Sequence, residues 1–493
     1  MPRVGEVDPR FVSYNIEMVE VTGGRFWKPY ADDTGTDGAA KAATPNSNPN
    51  AGLDPSVFQY RPPIDLTNAR LRNLATGLGP AYVRVSGSWA NRTYFQDDDS
   101  QPLKQPPPGF DDVLTRSEWK GVVEFARAVG AQIVTSFAIS AGTRDANGVW
   151  MPTQADAFAR YTRAVGGQIA AVEFMNEPNI ATRQGAPATY DAAAFARDIK
   201  VFAPWLRRAL PGTLLLGTGG TGEGGTAPPP ANSIGSDDIL KATGPIFDQA
   251  SYHFYGALSR RCTAAGRGRG VTLGQTLSPE WLDRTNQVEA FYAALRDKYL
   301  PGKPIWVTET AEAACGGDKF AGQFADTFRF LNQLGTLARK GVKVVMHNTL
   351  AASDYGLIDE KTFEPKPNYW AAVLWNRVMG TTVLDPRAES EPTLRIYAHC
   401  IKQRAGGVAV LALNTDEKEE HILELSVSGE RMTLTAPTLT STSVMLNGTE
   451  LKAKADGSLP TIQGLSFKPG TVPLPPRSIT FLTMRSVGNK NCR

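Results

Sequence analysis

Two apolar runs in this chain each end in a carboxylate. Ala171–Met175 leads into Asn176-Glu177-Pro178-Asn179, and Pro304–Thr308 leads into Glu309-Thr310. Two carboxylates facing each other across a cleft can cleave an acetal. One protonates the leaving oxygen while the other attacks the anomeric carbon, and retention of configuration needs the two groups only about 5–5.5 Å apart. Either glutamate alone reads equally well as a cap on a loop or a helix. Together, at the carboxyl ends of non-adjacent strands of one barrel, Glu177 and Glu309 read as a catalytic pair, because those ends line the mouth where barrel enzymes do their chemistry.

The elements that must position them alternate. Strand candidates are Phe11–Ile16, Ala81–Val85, Gln132–Ala138, Ala171–Met175, Thr213–Leu216, a run near Gln249–His253, Pro304–Thr308 and Val342–His347. Helical stretches follow each of them, and the one after the fifth, near Ser236–Thr243, is weak. Thr115 and Glu118 have capping-box spacing and open a helix to Val129. Phe195, Ile199, Phe202 and Leu206 share one face of a helix over Asp191–Leu210, in which Pro204 is expected to make a kink. Ser278 before Pro279 is an N-cap. Strands alternating with helices mean a parallel sheet, here a (β/α)8 barrel over residues 10–380, with a doubly wound sheet as the alternative. Beyond that the texture changes. Leu394–Cys400, Val408–Leu413, Ile422–Val427, Met432–Ala436, Ser441–Leu446 and Ser478–Met484 read as short strands without helical period. They predict an antiparallel β-sandwich over residues 381–493, to which residues 1–9 are a candidate addition.

Composition narrows the function. With 493 residues, 41% hydrophobic and 20% charged, the chain can bury large cores. Lys+Arg 52 against Asp+Glu 49 is too balanced for a nucleic-acid coat, so no nucleic-acid partner is expected. Gly 47 and Pro 35 point to many loops. Four Cys and four His exclude a disulfide-built scaffold and argue against a multi-histidine metal site, so neither metal nor cofactor is expected. Met1-Pro2-Arg3-Val4-Gly5-Glu6 has no apolar leader and no run of about 18 apolar residues follows, so no membrane insertion is expected. The location is then cytoplasmic, or periplasmic or secreted if a signal peptide has been removed.

Further strings occur in a telling order. Gly79-Pro80-Ala81-Tyr82-Val83-Arg84, Asn176-Glu177-Pro178-Asn179, Tyr252-His253-Phe254-Tyr255, Glu309-Thr310 with Gly316-Gly317, and Val344-Val345-Met346 followed by Tyr355 resemble the heparanase and β-glucuronidase family of retaining glycoside hydrolases. The resemblance runs from about Phe11 to Val378 and implies the barrel, an accessory sandwich and a carbohydrate substrate, a β-linked uronic-acid glycoside or a glycosaminoglycan-like oligosaccharide. Under it Glu177 is the general acid/base, with a raised pKa, and Glu309 the nucleophile. Asn176 binds the sugar 2-OH, Tyr255 orients Glu309, and Arg84 holds Glu309 ionised. Glu17 and Ser88 contact hydroxyls. Gly316, Gly317 and Tyr355 receive the uronic carboxylate. One departure stands out: Ala311-Glu312-Ala313-Ala314-Cys315 lacks the tyrosine that the family places before the glycines. A neutral-sugar β-glycosidase, such as a xylosidase or glucosidase, therefore stays open, as does a non-catalytic glycan-binding protein. Glu312 itself reads as a solvent-facing loop acid, and His253 as a satisfied core or supporting histidine rather than a proton donor.

Strands six and seven are neighbours in such a barrel, so Cys262 and Cys315 in the loops after them are a possible disulfide. Cys400 reads as a core strand residue, and Cys492 is unreadable. Gly217-Thr218-Gly219-Gly220-Thr221-Gly222 matches a dinucleotide fingerprint, but a loop with Pro228-Pro229-Pro230 follows where a helix should open, so it is set aside. Arg260, Arg261, Arg267 and Arg269 form a basic loop, either solvated or a subsite for acidic glycan. The long segment from Lys28 to Arg61 is expected at the mouth, where it could narrow the cleft for removal of a terminal sugar.

Overall fold

The computed structural model describes residues 1–30, 55–225, 232–265, 270–388 and 391–492. Eight parallel strands close into a barrel: β1 (Val12–Glu17), β2 (Tyr82–Ser86), β3 (Gln132–Thr135), β4 (Ile169–Glu173), β5 (Leu214–Gly220), β6 (Gln249–Leu258), β7 (Ile305–Ala314) and β8 (Val344–His347), with β8 pairing β1 to complete the ring. A helix follows each: α1 (Ala69–Gly77), α2 (Arg116–Val129), α3 (Thr153–Ala164), α4 (Ala192–Ala209), α5 (Ser236–Thr243), α6 (Arg284–Tyr299), α7 (Phe324–Arg339) and α8 (Pro367–Val378). Local chemistry sets the ends. Thr115 and Glu118 form the reciprocal capping box of α2, Asp191 caps α4, and Asn68 caps α1. The helix α4 runs on through Pro204. The carbonyl that Pro204 cannot bond belongs to Lys200, which is exposed, so water can satisfy it.

Period-two alternation sorts the strand side chains. On β6, Tyr252 packs outward and stacks on Tyr292 of α6 at 4.3 Å, while Ser251, His253 and Tyr255 reach partners inside the barrel. The bottom of the barrel is an apolar plug of Tyr82, Val134, Ala171, Leu216, Trp306, Val344 and Met346. Above it lies a polar layer. Arg84 stands one alternation above Tyr82 on β2, and Glu173 one above Ala171 on β4. Both are at most 1% exposed. Charges this deep are stable only in pairs, and these two bond each other.

The second unit is antiparallel. Its large nine-stranded sheet includes the N-terminal strand Arg3–Glu6, then β9 (Met379–Leu384), β10 (Leu394–Ile401), β11 (Val408–Asn414), β12 (Gly429–Thr435) and β13 (Ser478–Met484). One face, with Tyr397, Leu411 and Phe481, joins the main core and meets α7, where the Tyr397 hydroxyl donates to Asn332 at 2.6 Å. The other face is covered by a two-stranded ribbon, His421–Leu425 with Gly470–Leu474, so the sandwich is lopsided. The predicted strand over Ser441–Leu446 shrinks to Met445–Leu446. Cys400 and Cys492 are joined by a disulfide with Cα atoms 5.2 Å apart, which ties the chain end to β10. The reading of Cys400 as a plain core residue is corrected accordingly. No helix among the described residues is long and apolar enough to cross a membrane.

Candidate active site

The site stands on the polar layer at the carboxyl ends of the strands. One oxygen of Glu177 and one of Glu309 lie within 4.8 Å of each other, and His253 Nδ1 stands 3.2 Å from Glu177 and 3.7 Å from Glu309. Glu309 reaches this position through a β-bulge. The pairing of β6 with β7 matches Tyr252 to Val307 but His253 to Glu309, which skips Thr308. Consecutive side chains of a regular strand face opposite ways. Here both point inward: Thr308 Oγ1 donates to Glu173 at 2.7 Å, and Glu309 receives Arg84 Nη1 at 2.8 Å and the Tyr255 hydroxyl at 2.5 Å. Glu177 lies beyond β4 with φ 45° and ψ 64°. That left-handed backbone is uncommon for a residue with a side chain and turns the carboxylate into the cleft.

Arg84 is the hub. Its guanidinium donates to Glu173 at 2.9 and 3.1 Å, to Glu309 at 2.8 Å and to Asn176 at 2.8 Å. Gln184 and Asn91 hold the loop that carries Glu177. Gln184 Nε2 donates to Glu177 Oε2 at 2.8 Å, its Oε1 accepts from Asn176 and Asn91, and the Asn91 side chain bonds the Asn176 backbone at both ends. Across the cleft, Asn348 beyond β8 donates toward Glu17 at 3.1 Å, Tyr255 at 3.0 Å and Tyr355 at 3.3 Å. Glu17 Oε2 and Asn348 Oδ1 are buried without a hydrogen-bond partner, so each keeps unused acceptor capacity. Ser88 lies half-buried beyond β2, outside the hydrogen-bonded cluster.

Proton affinities follow from this crowding. Burial pushes Glu173 up, but the Arg84 charge outweighs it and holds the carboxyl well below its usual range. Burial, reinforced by the charge of Glu309, raises Glu17. Burial disfavours charge on His253, yet the carboxylates of Glu309, Glu173 and Glu177 raise it to about 9. The raised pKa expected for Glu177 is not found. Burial does push it up, but the bonds from His253 and Gln184 prevail and lower it. Burial raises the Tyr255 and Tyr355 phenols, as do the nearby acids, so both remain donors.

The loop after β7 brings Gly316 and Gly317 beside Tyr355. Both glycines have φ 85°, where a side chain is strained, and a Cβ on Gly316 would lie 2.4 Å from Trp27 Cβ. Neither glycine N–H donates to another group among the described residues. A disulfide joins Cys262 to Cys315, with Cα atoms 6.4 Å apart. Glu312 is not a solvent-facing loop acid. It is buried in β7, accepts from the Asp318 N–H at 2.9 Å, and is raised to about 8 by burial and the Asp326 charge. Arg260 and Arg261 of the basic loop face internal partners. Arg261 pairs with Asp354, bonds the Lys28 carbonyl at 2.7 Å and covers the Tyr30 ring at 4.1 Å, while Arg260 approaches Asp318 at 3.7 Å. Arg267 and Arg269 lie outside the described residues, as does most of the segment from Lys28 to Arg61, whose far end, Phe58–Arg61, pairs with Gly24–Trp27 as a hairpin. Gly217–Gly220 of the dinucleotide-like string is part of β5.

Barrel, bulge and facing carboxylates define a class, the (β/α)8 glycoside hydrolases. No protein-family model matches the chain. It is 26% identical to heparanase-like protein 1 of Arabidopsis thaliana over 74% of this chain and 67% of that protein. It is 27% identical to the heparanase of Bos taurus over 90% of this chain and 88% of that one. The inactive heparanase-2 of Homo sapiens is also similar, at 24% over 90% of this chain and 86% of that one. In structure, a 4-O-α-L-rhamnosyl-β-D-glucuronidase from Fusarium oxysporum superposes with a TM-score of 0.65 at 15% identity, covering 98% of this chain and 97% of that one. The chain is a heparanase-like glycoside hydrolase.

Proposed function

We propose that the chain hydrolyses β-linked uronic-acid glycosides with retention, through Glu177 and Glu309. The observation that carries this is the spacing of the two carboxylates: their nearest oxygens lie within 4.8 Å, which fits the short separation of a retaining pair and not the separation of about 6.5–9.5 Å of an inverting one. Glu309, steadied by Tyr255 and Arg84, attacks the anomeric carbon. Glu177 delivers a proton to the departing oxygen and then takes one from the water that frees the sugar. Asn176, fixed by Arg84 and Gln184, is positioned for the 2-OH, where a bond tightens as charge develops. Glu17 and Asn348 offer acceptors to the other hydroxyls.

Two features favour an acidic sugar. The relatives are named for heparanase activity, and the two unspent N–H groups of Gly316 and Gly317 beside Tyr355 suit a carboxylate. The missing tyrosine weakens that grip and keeps a neutral sugar as the second reading. A panel of nitrophenyl β-glucuronide, β-glucoside and β-xyloside separates them. Preference for the glucuronide by more than about 100-fold in kcat/KM, roughly 2.7 kcal/mol, supports the uronate reading. Preference for either neutral glycoside replaces it. Turnover of none of the three points to a glycan-binding protein. Proton NMR of the first-formed anomer tests retention.

A further inference from the structure

The reaction proposed above requires a protonated Glu177, yet its hydrogen-bond partners favour the carboxylate. Gln184 Nε2–H donates to Oε2 at 2.8 Å, and His253 Nδ1 stands 3.2 Å from Oε1. His253 is fully buried among charges from every neighbouring strand. Glu173 of β4 lies 3.7 Å from Nε2, Glu309 of β7 lies 3.7 Å from Nδ1, and Arg84 of β2 approaches Nε2 at 3.3 Å. Three carboxylates against one guanidinium favour a second cation there.

We propose that His253 and Glu177 act as one acid/base unit, in which the imidazole stores the proton that Glu177 delivers. The inference rests on the retaining reading of the site. In the first step the proton moves from His253 Nδ1 to Glu177 Oε1 and on to the glycosidic oxygen. The bond from the anomeric carbon to that oxygen breaks, and a bond to Glu309 forms. His253 is left neutral, with Nε2–H directed at Glu173. Conversion of Glu309 to an ester removes one of the three carboxylates that held the proton, so the affinity of the imidazole falls in the same step that uses it. In the second step water attacks the anomeric carbon and the bond to Glu309 breaks. The proton of the water passes through Glu177 back to Nδ1. His253 is a positioning residue for the proton and needs no contact with the sugar.

The test is the pH dependence of kcat/KM for the full chain and for His253→Asn. The unit should lose its proton only near pH 9 in the unsubstituted protein. Without the imidazole, Glu177 must carry the proton alone, and the alkaline limb should fall by several units toward the range of a carboxyl group. At pH 8 that amounts to a loss of at least about 100-fold beyond any loss at pH 5. A merely structural histidine would lower the whole profile without moving the limb, and that result would overturn the proposal. The second measurement leaves His253 in place. In a His421→Gln chain labelled with 15N-histidine, burial holds His347 and His399 neutral, at about 3 and about 4. An imidazolium signal at pH 8 is then His253, and its absence sinks the idea. Glu177→Ala keeps the two failures apart. If it leaves turnover of poor leaving groups intact, the retaining reading fails. If it abolishes that turnover while the limb of His253→Asn stays put, only the proton store fails.

Discussion

Glu173→Gln removes one charge from the barrel interior and almost nothing else. The carboxylate is 1% exposed and accepts from Arg84 on one oxygen and from Ser251 and Thr308, at 2.8 and 2.7 Å, on the other. A glutamine can turn its carbonyl to Arg84 and its amide N–H groups to the two hydroxyls, which accept as well as donate. Hydrogen bonding survives, so the cost is the broken ion pair, about 3–5 kcal/mol for a buried partner. Coulomb's law at an effective dielectric of about 20 gives a similar figure of about 4 kcal/mol at contact distance. A chain of 493 residues unfolding as one unit has a transition entropy of about 1 kcal/mol/K, so Tm should fall by about 4 °C at pH 7. The pH dependence carries a sign. The folded pKa of Glu173 is depressed, so its contribution is present above the unfolded value of about 4.3 and is lost as pH falls toward the folded value. The gap in Tm between the two proteins should therefore be widest at neutral pH, begin to narrow below about pH 4 and close only as pH nears the folded value. Differential scanning fluorimetry from pH 3.5 to 8 measures it. A cycle with Arg84→Met should show a coupling of at least about 2 kcal/mol, because the double variant leaves no unpaired charge on β2 or β4. A Tm unchanged at pH 7, or a gap that ignores pH, would refute the ion-pair account of the polar layer.

Three other substitutions follow from the same geometry. Glu177→Ala should lower kcat/KM by about 100- to 10,000-fold for a methyl or sugar leaving group and far less for dinitrophenolate, with partial rescue by azide; equal losses on both would remove its acid role. Gly316→Ala, at φ 85° and 2.4 Å from Trp27 Cβ, should raise KM for a glucuronide by about tenfold through a strain of about 1–2 kcal/mol, with a smaller effect on a neutral glycoside, in side-by-side kinetics. Cys400→Ala opens a loop spanning 92 residues, for which chain entropy sets a ceiling of about 4–5 kcal/mol, so a lower denaturation midpoint should appear in the variant and in reduced protein alike.

Much of this was legible before the structure. Strand spacing predicted the barrel, and the carboxylate-terminated runs placed Glu177 and Glu309. What was missed shares a cause: burial at a distance leaves little local trace. Glu312 looks like a loop acid because β7 runs on to Ala314, past the apolar run that marks it. Cys492 lies far from β10 in sequence, and Gln184 sits in a polar stretch with no period. Glu173 did leave a signal. A charge within Ala171-Val172-Glu173-Phe174-Met175 and another within Ala81-Tyr82-Val83-Arg84-Val85 each fall inside a strand buried on both faces. Neither is tolerable alone, so each implies the other.

That pairing also explains why the site needs its depth. If Glu177 and Glu309 stood on an apolar barrel, repulsion would leave two carboxyl groups within 4.8 Å sharing a single negative charge, with nothing to fix which of them carries it. Arg84 offsets that repulsion, but a buried guanidinium serving one carboxylate would pull it out of the cleft or leave donors unspent. Glu173 takes up the Nε–Nη2 edge of the guanidinium, Asn176 accepts from the same Nη2, and only Nη1 is left to Glu309. The hydroxyls of Ser251 and Thr308 occupy the other oxygen of Glu173, so it has no reason to rise toward the cleft. The bulge at Thr308 is then the condition for both tasks at once, because it lets one strand present Thr308 to the polar layer and Glu309 to the mouth.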